Sequence, residues 1–376
     1  MKFVISTQEL NFLINKIQNV VPQKATIPIL SNFLIEASNG MLTLTATDLT
    51  VGIRCQTEAN VIEEGATTLP AKRFAQLIRE LTQSQVEITT SEQEITEIKA
   101  NTSRFKLHGM KAIEFPSLPD MSGATSFKMP QNLLKEMLFR TSFAISRDDN
   151  RYVLTGASMR VANKQAVFLG TDGKRLARAH TEINVDNAFT GNYIIPLKAI
   201  DEVSKNLYEE GEVTVYLMQD KIAFEIAHTT IITKLLSGDY PDVSRVIPER
   251  TNMVVSLHRE ELTSLLRQVS LFTKDNNHSV RFTFNDGDLR LSANAMEIGE
   301  GKVSMPVNYH GPRVDIAFNP GFFLDILRHS KEETVTMGIT DAFNPGVITD
   351  QQLSQGFAEK TSPLFVIMPM RLNDED

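Results

Sequence analysis

Cysteine is all but missing: Cys55 is the only one in 376 residues. One thiol cannot build a disulfide framework, which points to a reducing compartment and a cytoplasmic protein. Its neighbours, Gly-Ile-Arg before and Gln-Thr-Glu after, include no paired histidine. Cys55 therefore reads as a small strand residue rather than a nucleophile. Missing too is any apolar run near the ~18 residues of a membrane helix. The opening MKFVISTQEL has a lysine but no apolar stretch of signal length and no small-residue cleavage site. Neither a leader nor a membrane partner is expected.

The linear signatures of catalysis are equally scarce. There is no GxxxxGK(S/T) phosphate loop and no GxGxxG after a strand. The Gly-Lys pair of GTDGKRL (170–176) is followed by arginine and lacks the upstream glycine. The seven histidines are scattered, with no HExxH and no Cys/His cluster, so neither metal nor cofactor is expected. No GxSxG elbow occurs. Asp148-Asp149 in RDDN reads as a solvated loop; together with Asp172 these carboxylates are the basis for a hydrolase reading. Triads are spatial, so missing motifs lower that reading without removing it.

What is present is average globular composition, 41% hydrophobic and 22% charged, with a net charge of −8. That sign argues against nucleic acid as a partner unless the charges are sorted by face.

The dominant feature is a triple repeat. A strand running into an amphipathic helix appears at 2–21, 127–145 and 253–272; in the first copy the stripe is Leu10, Leu13, Ile14, Ile17 and Val21. A strand ending in a turn recurs at 40–49, 165–176 and 287–296, with Asp48, Asp172 and Asn294 in one slot, 124 and 122 residues apart. A strand, a proline and a second helix recur around Pro70, Pro196 and Pro320, where proline fits a first helical turn. Pro116 and Pro241 close the first two copies, 125 residues apart. Four signals in one order at one period indicate three copies of a domain, at 1–122, 126–249 and 252–376. Alternating runs with hairpin turns between the helices predict, for each copy, antiparallel sheet plus two helices, an α+β fold.

Function within this frame lies where the copies differ. Copy one has Asp48 where copy two has Asp172, so that carboxylate reads as a turn residue bonding the following backbone. Gly173-Lys174-Arg175-Leu176 is peculiar to copy two.

The stretches IPILSNFLIEA (27–37), TTLPAKRF (67–74), SRFKL (103–107), FPSLP (115–119), TDGKRLA (171–177), GDYPDVSRVIP (238–248), FNPGFFLDIL (318–327) and VIMPMRL (366–372) resemble the bacterial DNA sliding clamp family, the beta subunit of DNA polymerase III. The resemblance covers residues 1–372. It implies a non-catalytic processivity factor: a head-to-tail homodimer ring of six domains, sheets outside and helices inside, that encircles double-stranded DNA without sequence preference. Helix geometry favours two chains. Six helices packed at ~9–10 Å enclose a hole of only about 8 Å, whereas twelve leave roughly 25 Å, enough for a duplex. A non-catalytic interaction scaffold with the same fold is the alternative.

Cations recur in the helical stretches while acids such as Glu63, Glu64, Glu92, Glu94 and Glu97 fall in strands and turns. The candidate DNA-contacting set is Lys24, Lys72, Arg73, Arg79, Arg151, Lys198 and Lys205, with Arg328 and Lys331 in the third copy. Weak phosphate contacts suit sliding. The resemblance implies a dimer contact of Phe105 and Leu107 against Leu271 and Phe272, with Arg73 and Arg104 facing Glu297 and Glu300. It also implies a pocket for short linear peptides of the replicative polymerase, clamp loader and repair proteins. Its matching residues are Leu154, Thr171, Gly173, Lys174, Arg175, Leu176, Pro241, Arg245, Val246, Asn319, Phe322, Phe343, Val366, Met368, Pro369, Met370 and Arg371. Aliphatic and Met side chains offer an adaptable floor, and arginine can reach a peptide carbonyl or acid. One such pocket per chain is expected. Lys174 stands where the family commonly has a ring, Phe322 replaces a frequent tyrosine, and the acidic tail Asn373-Asp374-Glu375-Asp376 extends beyond the usual end, beside the pocket.

Overall fold

The computed structural model describes residues 1–248, 250–273, 278–351, 357 and 361–371; the acidic tail lies outside them. The α-helices among the described residues are α1 (Thr7–Ile17), α2 (Ala71–Glu80), α3 (Gln131–Thr141), α4 (Leu197–Asn206), α5 (Arg259–Ser270) and α6 (Pro320–Arg328). None is long and apolar enough to cross a membrane.

Strand Lys2–Ser6 buries Phe3 and Ile5 and turns its alternate residues outward. Ser6 then leaves the strand and its hydroxyl accepts from the Glu9 N–H, capping α1, which buries Leu10, Leu13, Ile14 and Ile17. The same passage recurs from Met253–His258 into α5, where His258 Nδ1 accepts from the Glu261 N–H at 3.2 Å. The repeated prolines differ in place. Pro320 is inside the first turn of α6, as expected, whereas Pro70 and Pro196 end the preceding strands as N-caps with ψ of 107° and 142°. A fixed φ near −65° suits both positions, so the proline marks the strand-to-helix junction.

The chain folds as two compact units, Met1–Lys135 with Ile183–Asp186 and Ile195–Leu235, and Glu136–Glu182 with Asn187–Ile194 and Leu236–Asp376. The first unit holds a five-stranded sheet in the order Asn60–Glu63, Lys2–Ser6, Gln85–Thr90, Ile95–Ala100, Ser103–His108. Its eight-stranded sheet runs Thr125–Pro130, Glu212–Leu217, Lys221–Ile226, Thr229–Lys234, Val51–Glu58, Met41–Thr47, Asn32–Ser38, Gly65–Pro70. The second unit holds an eight-stranded sheet, Gly191–Pro196, Gly156–Ala162, Gln165–Thr171, Arg175–Glu182, Leu364–Ile367, Gly346–Thr349, Thr334–Ile339, Met253–His258. Its four-stranded sheet runs Gly299–Pro306, Asp288–Ala295, Val280–Asn285, Val314–Phe318.

The sheets thus cross the repeat boundaries, where sequence periodicity predicts one set of strands per copy. Thr229–Lys234 of copy two pairs antiparallel with Val51–Glu58 of copy one. Leu364–Ile367 of copy three pairs in the same way with Arg175–Glu182 of copy two. An edge strand exposes a row of unpaired N–H and C=O groups, and the next copy satisfies them.

Phe3, Phe33, Phe74 and Phe224 are fully buried in the first unit. In the second, Phe282 lies 5.4 Å from Phe318 and 5.0 Å from Phe323, one edge-on and one stacked. The second unit also buries an ion pair. Arg140 meets Asp350, donates to the His329 carbonyl at 2.9 Å and reaches Glu136 at 3.3 Å.

Candidate functional site

The turn after strand Gln165–Thr171 organises the candidate pocket, which lies within the second unit. Thr171 Oγ1 donates to the Arg175 carbonyl at 2.6 Å and accepts from the Gly173 N–H at 3.1 Å. Asp172 Oδ1 accepts from the Lys174 and Arg175 N–H groups at 2.9 and 3.0 Å. Copy one repeats this geometry: Thr47 Oγ1 donates to the Val51 carbonyl at 3.0 Å and Asp48 Oδ1 accepts from the Thr50 and Val51 N–H groups at 2.9 and 2.7 Å. The Thr-Asp pair is a structural turn in both. Asn294, placed in the same slot by spacing, instead lies within strand Asp288–Ala295 opposite Glu300, and that hairpin turns two residues later.

Asp172 is committed to its turn and to Arg175, and no group of three or more His, Cys, Asp or Glu able to hold a metal ion gathers among the described residues. The side chain of Asp149 lies outside what is described.

Arg175 is the centre of the arrangement. Its Nε donates to Asp172 Oδ2 at 3.1 Å, Nη1 to Asp325 Oδ2 at 2.6 Å and Nη2 to the Phe143 carbonyl at 3.0 Å. The guanidinium lies 4.6 Å from the Phe322 ring and 5.3 Å from the Phe143 ring. Three of the five N–H donors of Arg175 are thereby engaged, and it ties the turn to α6. Phe322, lacking a hydroxyl, serves that tie through its ring face. Asn319 is likewise absorbed into structure, its Oδ1 accepting from the Gly321 and Phe322 N–H groups as the cap of α6.

Leu176 and Val366 face each other across paired strands and are buried with Leu169, Val347 and Leu364. Leu154 is also buried. Tyr240, Val243 and Ile247 pack against this floor and were not singled out by sequence reading; their signal was only proximity to Pro241. Burial pushes the Tyr240 phenol well above its ordinary range. Gly173, Lys174, Pro241, Arg245, Val246, Met368 and Arg371 are exposed, and Pro369 and Met370 half-buried. Strand-like bonds hold the last segment, from the Met368 N–H to the Lys174 carbonyl at 2.9 Å and from the Met370 N–H to the Ala317 carbonyl at 2.7 Å. Phe343 stands apart from the floor, 89% exposed on a turn closed by Asp341.

Arg151, expected among the DNA contacts, is exposed and touches this turn. It sits in a kinked 3-10 segment, Asp149–Thr155, and its Nη1 donates to the Asp172 carbonyl at 2.7 Å. Gly173 has φ +81°, and a Cβ there would lie 2.3 Å from Arg151 Nη1, so glycine meets both the left-handed backbone and the close approach.

The first unit carries a counterpart of this groove, which sequence reading did not anticipate. A cavity of about 170 Å³ is bounded by Thr47, Leu49, Gly52, Pro116, Leu118 and Ile232. Leu118 fills the space over Gly52, where a Cβ would meet its Cδ2 at 2.3 Å.

Among the other cations, Lys24, Lys72, Arg73 and Arg79 are exposed. Lys198 is held by Asp48 at 2.6 Å and Lys205 by Glu202 at 2.7 Å. Arg328 pairs with Asp325 at 3.2 Å and Lys331 with Glu136 at 3.2 Å.

Two of the edge strands carry the residues expected at a dimer contact. Ser103–His108 ends the five-stranded sheet, with Arg104 exposed, Phe105 37% exposed and Leu107 half-buried. Gly299–Pro306 ends the four-stranded sheet beside Leu271, which is 72% exposed. Phe272 lies on Gly301, where a Cβ would be 2.5 Å from its ring. Glu297 and Glu300 are exposed, as are Met296 and Ile298, which sequence reading did not pick out.

Three consecutive family models match the chain: the N-terminal domain of the DNA polymerase III beta subunit over residues 1–119, the central domain over 128–242 and the C-terminal domain over 244–371. The beta sliding clamp of Chlamydia pneumoniae is 53% identical over 375 residues, covering 100% of both chains. That of Haemophilus influenzae is 30% identical, covering 99% of this chain and 100% of its own. Among solved structures, a sliding clamp of Pseudomonas aeruginosa bound to griselimycin superposes with a TM-score of 0.93 at 29% identity, covering 99% of this chain and 100% of the other. The DNA polymerase sliding clamp of Bacillus subtilis gives 0.94 at 25% identity over the same shares. With matching models from residue 1 to residue 371 and a relative more than half identical from end to end, the chain belongs to the DNA polymerase III beta subunit family, the bacterial beta sliding clamps.

Proposed function

We propose that this chain is a processivity clamp and not an enzyme. Two copies close head to tail into a ring of six domains, bounded in each chain at 1–122, 126–249 and 252–376. The ring encircles duplex DNA, and the groove of the second unit tethers the replicative polymerase and other partners through short peptides. The observation that carries the assembly is this pair of edge strands. Each internal repeat boundary joins one copy's strand to the last strand of the next. By the same rule, Gly299–Pro306 of copy three lacks a partner that Ser103–His108 of another chain's copy one can supply. Exposed Phe105 and Leu271 flank those edges, and Arg104 and Lys106 would meet Glu297 and Glu300.

Lys24, Lys72, Arg73 and Arg79 are the phosphate-facing cations this reading retains; Lys198 and Lys205 contribute less because carboxylates already hold them. The bound griselimycin of the Pseudomonas relative supports a peptide-like ligand for the groove.

The test combines mass and topology. The native protein should have twice the 42.1 kDa chain mass. Phe105→Asp with Leu271→Asp should shift it to monomer at micromolar concentration, since each apolar side chain buried contributes ~1.5–3 kcal/mol. Loaded protein should stay on circular DNA and leave when the DNA is linearised. A dimer that never remains on circular DNA would support the scaffold reading instead.

A further inference from the structure

We propose that residues 115–119, Phe-Pro-Ser-Leu-Pro, are a built-in ligand of the first unit: Leu118 occupies in cis a seat over Gly52 that otherwise takes an aliphatic peptide residue. The seat is made of the same parts as the groove of the second unit. In both, the Thr-Asp turn leads into a strand that pairs antiparallel with a strand of the next copy. Val51 and Gly52 face Thr233 and Ile232, as Arg175 and Leu176 face Ile367 and Val366. The proline-bearing segment that closes each copy carries Leu118 and Val243 in one slot, 125 residues apart. Val243 packs against the second floor, and Leu118 lies on the first.

What differs is the residue beneath. Copy two has the side chain of Leu176 there, whereas copy one has Gly52, where a Cβ would lie 2.3 Å from Leu118 Cδ2. Gly52 has no left-handed φ, so its backbone does not call for glycine. A glycine inside a strand weakens it and marks a place where something approaches closely. Here the approaching group is Leu118. Beside it a cavity of about 170 Å³ extends between Leu49 and Ile232, room for more than the one side chain. Little else ties the segment down. Pro116 and Pro119 have no N–H, and no hydrogen bond holds Ser117 or Leu118 among the described residues. Phe115 is buried and Leu118 half-buried, so side-chain packing at these two points anchors the segment. Two apolar anchors on a preformed floor, without backbone pairing, can be exchanged for the same residues supplied in trans. The seat needs neither DNA nor the ring, nor any ligand in the second groove.

The experiment uses full-length protein and the peptide acetyl-Phe-Pro-Ser-Leu-Pro-amide with photo-leucine in place of its leucine, cross-linked by light and mapped by mass spectrometry. A tethered segment has an effective concentration in the millimolar range, so at about 0.1 mM peptide the wild type should be labelled about tenfold less than Leu118→Ser, whose seat is empty. The label in Leu118→Ser should fall near Leu49, Gly52 and Ile232. Leu118→Ala, which keeps the segment apolar, should be labelled at the same places. Adding Gly52→Leu to Leu118→Ser should remove the label, because the side chain of copy two then fills the seat. Counting only label on residues of the first unit keeps the other groove out of the measurement. Equal first-unit label in the wild type and both Leu118 variants, its absence from both variants, or its persistence when Gly52→Leu is added overturns the inference.

Discussion

Replacing Arg175 by methionine tests whether this arginine is scaffold or ligand contact. The substitution keeps a long side chain but removes three donor contacts, to Asp172, Asp325 and the Phe143 carbonyl. Asp172 retains its two backbone donors and Asp325 retains Arg328 at 3.2 Å. Stripping one partner from a buried pair costs ~3–5 kcal/mol. Arg175 is only 11% exposed, but the Asp325 side chain is 31% exposed, so water offsets part of the loss. The expected destabilisation of the second unit is about 2–4 kcal/mol. With a urea dependence of ~2–3 kcal/mol/M, the unfolding midpoint falls by roughly 1 M. Adding Asp325→Asn should cost less than the two single effects summed, with a coupling of about 1 kcal/mol or more. Peptide affinity should fall in parallel, because the turn carrying Gly173 and the helix carrying Phe322 lose their tie. A variant that loses peptide binding at an unchanged unfolding midpoint refutes this reasoning and makes Arg175 a ligand contact.

Arg140→Met should destabilise by ~3–5 kcal/mol, because Asp350 is left buried with only the Lys331 N–H; adding Asp350→Asn should recover much of this in the same urea titration. Burial against Phe143 holds His329 below the ordinary imidazole value, and burial with Arg178 nearby does the same for His180. The unfolded chain then binds more protons below about pH 6.5. Stability should be complete above that pH, decline as pH falls through the depressed folded values and level off below them. His329→Phe should flatten the decline, as read from thermal midpoints between pH 7.5 and 5.

Several parts of the fold were legible because they depend on local chemistry. Alternation and three-four spacing gave the strand into α1, and the Thr-Asp pair of two copies gave the turn, since in both an Asp oxygen accepts from the N–H groups two and three residues on. The contact of Arg151 with the Asp172 carbonyl was not legible, because its neighbours in sequence say nothing of Asp172, 21 residues away. Met296 and Ile298 carry no motif, and nothing in GDYPDVSRVIP sets Tyr240 and Val243 apart from their neighbours; only their surroundings distinguish floor from surface. Arg175 could be named but not assigned a task, because donor commitment depends on where Asp325 and Phe143 arrive.

By itself the sequence determined the triple repeat, the α+β class, the position of the strand-to-helix junctions and the segment in which copy two departs from copy one. Each follows from periodicity or from backbone preferences that act within a few residues. Tertiary structure alone decided that the sheets run across repeat boundaries and that Ser103–His108 and Gly299–Pro306 end their sheets. It also decided that Leu118 lies over Gly52 in the counterpart groove, and that Asp172 is engaged by its own turn and by Arg175. Strand pairing and charge compensation are made between residues more than a hundred positions apart, as with Arg175 and Asp325, and no local pattern encodes which distant group will satisfy which donor.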